Sequence, residues 1–276
     1  PMTPEQQRLI AAVEARFGPK AAITDRADIA PWETDWRGRY TGYSPAILAP
    51  ADRDEAQAIV ALAHEAGVAL VPQGGNTSMV GGATPPPDGS ALILSTRRMS
   101  RIRSLDPDAG LAVAEAGLIL ADLHAAAADV GCRFPLTLGS RGSATIGGLV
   151  STNAGGTQVL RWGTMRGLVA GIEAVLPDGS LYEGLSALKK DNRGYDLDQL
   201  LIGAEGTLGL VTAATLRLAP AVSDRAVAWI AVETPARALD LLRMMERRSG
   251  GAIEGFELVP RESLDAVLTH ISGTRA

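Results

Sequence analysis

Two segments of this chain are so rich in glycine that a regular helix or strand is not expected to run through them without interruption. Residues 72–82 contain four glycines among eleven residues, and residues 138–156 contain six among nineteen. Each glycine inside a regular element costs roughly 0.5–1 kcal/mol relative to alanine. Both segments are therefore predicted to be loops, and their uncovered backbone N–H groups suit the close approach of an anion such as a pyrophosphate.

The common phosphate-binding motifs are absent from these loops and from the rest of the sequence. Neither GxGxxG nor GxxxxGK[ST] occurs in the 276 residues. Dinucleotide binding of the Rossmann type and ATP binding by a P-loop are therefore disfavoured. A nest of backbone donors remains as the way in which this chain would hold a phosphate group.

Composition excludes several classes of protein. Hydrophobic residues make up 46% and charged residues 21%, which is typical of a globular chain. The net charge of −5 disfavours a nucleic-acid partner. No apolar run reaches the roughly 18 residues of a spanning helix, and residues 1–10 do not resemble a signal peptide. We therefore expect a soluble, cytoplasmic protein, with a peripheral position at the inner membrane left open.

Hydrophobic spacing predicts a chain of mixed helices and strands. A turn at residues 177–179 predicts a hairpin, and a domain boundary is expected near Pro220. The predicted helices cover residues 5–17, 53–66, 119–130, 237–247 and 262–268. The predicted strands cover residues 46–49, 68–71, 91–94, 111–116, 169–176, 180–183, 227–232 and 253–258, and residues 206–218 are predicted to be rich in strand.

The histidines and the single cysteine are predicted to have structural roles. His64, His124 and His270 lie in predicted helices, and none has a partner at metal-ligand spacing. Cys132 cannot form an internal disulfide and is interpreted as a small buried apolar residue. The sequence therefore predicts no metal site of its own.

Several ordered blocks resemble one family of flavoproteins. They are PQGGNTS (72–78), LGSRGSATIGG (138–148) with TNAGG (152–156), RWGTMRG (161–167), and DNRGYDL (191–197) with GAEGTLG (203–209). This set is similar to the vanillyl-alcohol oxidase type of FAD enzymes with a PCMH-type FAD-binding domain. Within that family, the branch that it resembles oxidises D-lactate, D-2-hydroxyglutarate or glycolate. The resemblance extends from about residue 45 to about residue 220.

The resemblance implies an α+β fold and a domain plan. Residues 1–220 would form the FAD-binding domain, with two α+β subdomains at about 1–100 and 101–220 and the cofactor extended between them. Residues 221–276 would begin an α+β substrate (cap) domain that is incomplete in this sequence. A chain that starts with Pro1 before Met2 and ends in this way is expected to be truncated.

The resemblance also implies which residues contact FAD. The first loop would hold the pyrophosphate, with Pro72 fixing its entry, and the second would follow the ribityl and isoalloxazine portions. A third group would reach toward the adenine end. The first set is Pro72, Gly74, Gly75, Asn76, Thr77 and Ser78; the second is Pro135, Leu138, Gly139, Gly142, Ser143, Gly148, Asn153, Gly155 and Gly156; the third is Glu205, Gly206 and Val211.

FAD is expected to be bound without a covalent link. Covalent members of the family use a His or Cys beside the isoalloxazine, and the first loop has Asn76 instead. Gln73 and Ser78 stand where the family often has Arg and Gly, but neither change removes a backbone donor.

The implied reaction is oxidation of a D-2-hydroxy acid to the 2-oxo acid by hydride transfer to flavin N5. Electrons would pass to a cytochrome, a quinone or an electron-transfer flavoprotein, and a homodimer is left open. Two alternatives also stay open: the same fold acting on an aldonolactone, another alcohol or a UDP-sugar, and a non-catalytic FAD-binding subunit of a complex.

No catalytic residue can be assigned within these 276 residues. In the family, the catalytic His, any divalent-metal ligands and most carboxylate-binding residues belong to a second half beyond residue 276. Lys190 is the one weak catalytic candidate, because it lies in a segment that the family places near the flavin. Arg141, Arg161 and Arg166 are further candidates for cations facing the cleft.

Overall fold

The computed structural model describes residues 2–186, 188 and 190–275. The helices are α1 (Pro4–Phe17), α2 (Arg26–Ile29), α3 (Arg53–Ala66), α4 (Leu120–Asp129), α5 (Ile146–Ser151), α6 (Val159–Trp162), α7 (Met165–Leu168), α8 (Asp198–Leu201), α9 (Pro235–Ser249) and α10 (Arg261–His270), with a 3-10 turn at Ala30–Trp32. The strands are β1 (Ala22–Ile23), β2 (Ile47–Leu48), β3 (Ala69–Gln73), β4 (Ala91–Ser95), β5 (Ile102–Asp106), β6 (Leu111–Glu115), β7 (Cys132–Arg133), β8 (Val169–Val175), β9 (Leu181–Glu183), β10 (Leu210–Arg217) and β11 (Ala219–Pro220).

The first sheet has four strands in the order β1-β2-β4-β3. β2 and β3 both pair with β4 in parallel, and β1 pairs with β2 antiparallel. α3 connects β2 to β3. The first glycine-rich segment, residues 72–82, begins at the carboxyl end of β3 and continues beyond it. A core of apolar side chains from α1, α3 and β4, including Val13, Ile59 and Leu92, packs behind this sheet.

The two long helices of this part begin and end at signals that the sequence carries. Thr3 and Gln6 form a capping box at the start of α1. Asp52 accepts a hydrogen bond from the Glu55 N–H at the start of α3, and Gly67 ends that helix with a left-handed φ of 66°. The predicted helices over 5–17 and 53–66 are confirmed.

The second sheet has five strands in the order β5-β6-β10-β8-β9, all antiparallel. Its core includes the fully buried Leu120 and Leu123 of α4 and Ile172 of β8. β7 and β11 form a separate two-stranded pair. The sequence predicted β6 and the β8–β9 hairpin but not β5, β7 or β11, whose two to five residues carry little pattern of their own.

The second glycine-rich segment contains a helix that the sequence did not predict. α5 spans Ile146–Ser151 although it includes Gly147 and Gly148. The helix is stabilised by burial of Ile146, Leu149 and Val150 in the core. Gly147 packs so closely on Ala116 that an added Cβ would lie 2.6 Å from the Ala116 Cβ. Tertiary packing has therefore overcome the low helix propensity of glycine.

A network of ion pairs that includes two buried carboxylates joins the second sheet to α3. The Arg103 guanidinium bonds to Glu173 at 3.0 Å and to Glu115 at 3.2 Å, and both carboxylates are buried. Arg53, at the first turn of α3, lies 3.5 Å from Glu173. Glu115 belongs to β6 and Glu173 to β8, so this network connects the second sheet to α3.

Beyond Pro220 the predicted helices are present but the predicted strands are wrong. α9 and α10 include residues 237–247 and 262–268, whereas residues 227–232 and 253–258 form no strand. A strand requires a hydrogen-bonded neighbour, and the described residues offer these segments none. Val227 and Trp229 are accordingly 90% and 75% exposed.

The Glu254 carboxylate anchors the part of the chain beyond Pro220 to β7 and α6. Glu254 accepts hydrogen bonds from the Arg133 guanidinium and, at 3.2 Å, from the Trp162 indole N–H. These contacts, led by the Arg133 hydrogen bond, lower the pKa of Glu254.

The predicted α+β class is confirmed. The domain boundaries near residues 100 and 220 stay predictions. Among the residues that the structure describes, no helix has the length and apolar character needed to cross a membrane.

Candidate functional site

The two glycine-rich loops meet at the carboxyl end of β3. An added Cβ on Gly74 would lie 2.2 Å from Thr145 Oγ1, and one on Gly75 would lie 1.9 Å from the Ser143 carbonyl oxygen. Real Cβ atoms do not come this close to other atoms. At Gly75 the obstructing atom belongs to the backbone, so only glycine fits there, whereas a side chain at residue 74 would have to displace the Thr145 hydroxyl. Gly75 therefore allows two backbone segments to touch although residues 75 and 143 are far apart along the chain.

A cavity of about 720 Å³ lies where the loops meet. This volume is within the range of small-molecule and cofactor sites. Fourteen of the eighteen residues that were predicted to contact FAD line it, including residues from all three predicted sets: Pro72, Gly74, Gly75, Asn76, Thr77, Ser78, Leu138, Gly139, Gly148, Asn153, Gly155, Glu205, Gly206 and Val211.

The other four predicted residues do not line the cavity. Pro135 is buried between Phe134 and Leu136. Gly156 packs on the Thr137 carbonyl, since an added Cβ would lie 2.4 Å from it. Gly142 and Ser143 are exposed, and the backbone of Ser143 contacts Gly75.

The cavity wall also contains residues that sequence reasoning missed. Eight of these seventeen residues belong to the blocks that carry the resemblance, so the signal was present there but was not resolved residue by residue. The other nine, Trp36 and Thr96 among them, lie outside those blocks and had no such signal. The missed lining residues are Trp36, Gln73, Met79, Val80, Gly82, Ala83, Thr96, Ser140, Ala144, Thr145, Gly147, Leu149, Ser151, Thr152, Ala154, Gly209 and Leu210.

Left-handed backbone at residues other than glycine is confined to this cavity in the described part of the chain. Asn76, Asn153 and Glu205 have φ of 52°, 46° and 54°, and all three line the cavity. Such conformations are uncommon and cluster at ligand sites, where the surrounding structure holds them in place.

Specific hydrogen bonds hold these three residues. The Asn76 amide donates to the Thr34 carbonyl at 2.8 Å. The Asn153 side-chain oxygen accepts from the Arg166 N–H at 2.9 Å. The Glu205 N–H donates to the Ser151 carbonyl at 2.8 Å.

Three buried polar atoms of the cavity wall have no protein partner. They are Gln73 Oε1, Thr96 Oγ1 and Thr145 Oγ1. An unsatisfied buried polar group costs about 1–3 kcal/mol, so such groups are rare unless a ligand or water completes them. Thr145 also touches Gly74, so its hydroxyl lies at the contact between the two loops.

The wall carries almost no charge. Of the described lining residues, Glu205 alone is ionisable at its side chain. An anion in the cavity would therefore be held by backbone and side-chain dipoles, without an Arg or Lys in the wall itself. The backbone donors, the unpartnered hydroxyls and the volume fit a dinucleotide cofactor such as FAD.

The other candidate residues lie elsewhere. Lys190 is exposed and does not line the cavity. Arg141 is exposed, and Arg161 lies 3.5 Å from Glu254. Arg166 donates to the Ile202 carbonyl at 2.8 Å and to the Gln199 carbonyl at 3.1 Å, so it fastens the end of α8.

His124 is half-buried and Cys132 is buried, as expected for side chains with structural roles. His124 Nε2 lies 2.9 Å from the Leu136 carbonyl oxygen, and burial lowers the pKa of this half-buried ring. Cys132 is buried. Among the residues described, no three His, Cys, Asp or Glu side chains are grouped to hold a metal ion.

A family model described as "FAD binding domain" matches residues 44–184. The matched segment includes β2 through β9, and therefore both glycine-rich loops.

Curated relatives cover nearly the whole chain. D-2-hydroxyglutarate dehydrogenase, mitochondrial, from Bos taurus is 41% identical over 95% of this chain and 48% of its own length. The protein of the same name from Arabidopsis thaliana is 39% identical over 94% of this chain and 46% of its own length. D-2-hydroxyglutarate–pyruvate transhydrogenase DLD3 from Saccharomyces cerevisiae is 36% identical over 88% and 49%. The chain thus spans about half the length of the curated relatives that it matches.

Solved structures support the fold. Alkyldihydroxyacetonephosphate synthase superposes with a TM-score of 0.75 at 21% identity, over 90% of this chain and 47% of that one. A second crystal form of that enzyme gives a TM-score of 0.74 at 22% identity.

Proposed function

Because this chain belongs to the FAD binding domain family, we propose that it is the flavin-binding part of an FAD-dependent enzyme that oxidises a D-2-hydroxy acid to the 2-oxo acid. The observation that carries the proposal is the cavity of about 720 Å³ between two loops of close-packed glycines. The names of the curated relatives support the substrate class.

The backbone N–H groups of residues 74–78 would hold the diphosphate, with the Thr145 hydroxyl as an added donor. Thr145 lines the cavity, is buried and has no protein partner. The wall lacks Arg and Lys, but hydrogen bonds from neutral N–H and O–H donors to an ionised phosphate are charge-assisted and therefore stronger than bonds between two neutral groups.

Glu205 is proposed as an acceptor for the adenosine portion. It lines the cavity in a left-handed conformation, and an added Cβ on Gly82 would lie 3.1 Å from its carboxylate. A carboxylate accepts hydrogen bonds from hydroxyl or amino groups. A negative charge here would be unfavourable next to the phosphates, which favours the adenosine end.

Bound FAD would supply the redox chemistry by accepting a hydride at N5 from the substrate Cα–H. The residues of the cavity wall would bind and orient the cofactor. We propose a cytochrome, a quinone or an electron-transfer flavoprotein as the electron acceptor, because the sequence has no GxGxxG motif for NAD.

The proposal is tested by the absorption spectrum of the purified full-length protein, recorded anaerobically before and after adding D-lactate, D-2-hydroxyglutarate or glycolate. We expect a flavin spectrum that one of these acids bleaches, and no bleaching by the L-enantiomers of the chiral acids. A protein without flavin absorbance would contradict the proposal. A flavin spectrum that no acid bleaches would contradict the catalytic part and would favour a non-catalytic FAD-binding subunit.

A further inference from the structure

Trp36 contributes an aromatic ring to the cavity wall from outside the glycine-rich loops. It lines the cavity together with Met79 and Val80, and 63% of its surface is exposed. It precedes residue 44, where the family match begins. No resemblance or family match assigns it a role.

Of the four tryptophans, Trp36 alone lines this cavity. The Arg97 guanidinium covers the Trp32 ring at 3.4 Å. Trp162 donates its indole N–H to Glu254. Trp229 is 75% exposed but does not line the cavity.

The loop that carries Trp36 has a fixed shape. The buried Asp35 carboxylate accepts the backbone N–H of Tyr40 at 2.7 Å and that of Arg37 at 3.2 Å. The Asp35 N–H donates to the Tyr40 carbonyl at 2.9 Å. These backbone hydrogen bonds, with that of Tyr40 first, lower the pKa of Asp35, so the carboxylate that accepts them is ionised at neutral pH.

The same loop is attached to the first glycine-rich loop. The Asn76 amide donates to the Thr34 carbonyl at 2.8 Å. The Tyr40 ring packs on Gly81, where an added Cβ would lie 2.7 Å from its Cδ2. Trp36 is thus held between two anchored residues, beside the loop that would grip the diphosphate.

An exposed indole in a cofactor-sized cavity has a specific use. Flat aromatic rings stack with centroids about 4.5–7 Å apart, and FAD contains two flat ring systems, adenine and isoalloxazine. The Arg37 guanidinium lies over the Trp36 ring, with Cζ 5.5 Å from the centroid, and adds a positive charge near an anionic cofactor.

We propose that Trp36 is a cofactor-binding residue whose indole stacks on a flat ring of FAD bound in the cavity. This inference rests on the proposed function, since it requires FAD as the occupant. It adds to the site a residue that lies outside the matched FAD-binding segment.

The test compares Trp36→Ala and Trp36→Phe with the wild type, using the Kd of the apoprotein for FAD. Substituting alanine for an aromatic side chain on which a base stacks weakens binding about 5- to 150-fold. We expect Trp36→Ala to raise the Kd within that range and Trp36→Phe to stay within about three-fold of wild type, because phenyl also stacks. Trp229→Ala is the matched control and should leave the Kd unchanged.

Titrations with ADP and with FMN then distinguish the two ring systems. A loss confined to ADP assigns Trp36 to the adenine, and a loss confined to FMN assigns it to the isoalloxazine; either supports the inference. The melting temperature of the apoprotein should not change in Trp36→Ala, since the side chain is largely exposed.

The inference is overturned if the wild type binds FAD and Trp36→Ala binds it equally well, or if Trp36→Phe is as weak as Trp36→Ala. If the wild-type protein itself fails to bind FAD, the proposed function fails first and this inference fails with it. The two failures are therefore distinguishable.

Discussion

The backbone of Gly75 lies directly against the carbonyl oxygen of Ser143, so that a Cβ on Gly75 would be 1.9 Å from that oxygen. The contact joins the two glycine-rich loops beside the cavity. A loop pair that was filled by side chains, or held apart, would have left no common wall for a dinucleotide. The contact also predicts that residue 75 tolerates no side chain.

Gly75→Ala is expected to separate the loops. The obstructing atom belongs to the backbone and cannot rotate away, and overpacking of this kind costs about 1–3 kcal/mol. We expect a lower free energy of unfolding by urea and a weaker Kd for FAD. Gly142→Ala is the control, because nothing lies within 4 Å of an added Cβ there and the residue is exposed. Equal stability and affinity in the two variants would show that the contact is unimportant.

The left-handed backbone of Asn76 predicts different outcomes for two substitutions. Asn76→Gly keeps φ near 52° without strain but loses the side-chain hydrogen bond to the Thr34 carbonyl. We expect that loss to lower the free energy of unfolding by about 1 kcal/mol. Asn76→Val adds about 1–2 kcal/mol or more, because a β-branched residue is strained at positive φ. Urea unfolding and the Kd for FAD should rank wild type, Asn76→Gly and Asn76→Val in that order. If Asn76→Val were as stable as Asn76→Gly and bound FAD as tightly, the left-handed backbone at residue 76 would not contribute to the site.

The unpartnered Thr145 hydroxyl is expected to matter for the cofactor and not for the fold. Thr145→Val replaces a buried hydroxyl that has no protein partner by a methyl of the same shape, so the apoprotein should be as stable or more stable. If the hydroxyl donates to bound FAD, the Kd should rise about ten-fold, and Thr145→Ser should restore it.

Thr215→Val is the matched control for Thr145→Val. Thr215 Oγ1 is also buried without a partner, but the residue lies in β10 and does not line the cavity. We expect no change in the Kd for FAD. The same Kd change in both variants would mean that the loss is structural.

Glu115 predicts a specific dependence of stability on pH. Burial by itself raises its pKa, but hydrogen bonds from the Arg101 side chain and N–H and from Arg103 outweigh burial and lower the pKa below 4.5. A lowered pKa in the folded state means that the carboxylate stabilises the protein above pH 4.5. That stabilisation is lost as the pH falls through the folded pKa.

Glu115→Gln should therefore be less stable than wild type at pH 7, by about 1–3 kcal/mol. The difference should shrink as the pH falls below 4.5, because the wild-type side chain is then protonated and resembles glutamine. Free energies of unfolding measured by urea at several pH values would check this. A difference that is constant with pH would mean that the charge of Glu115 does not contribute.

Local sequence was sufficient for much of the fold. The helices α1 and α3 carry their own caps at Thr3, Asp52 and Gly67, so their ends could be predicted. Strands as short as β1 and β7 could not, because two residues have no periodicity and form only where a partner strand is in place. For the same reason residues 227–232 have strand-like composition and yet form no strand.

The sequence by itself determined where the chain is bare, and a side chain would be obstructed at Gly74 and Gly75 and at Gly147 and Gly156 of the second segment. The tertiary structure decided what those bare segments face. It brought Trp36 to the cavity, placed the Thr145 hydroxyl against Gly74, and set Arg103 between two buried carboxylates. The physical reason is that spacing along a chain encodes local conformation, whereas contacts between residues far apart in sequence depend on how the sheets and helices pack.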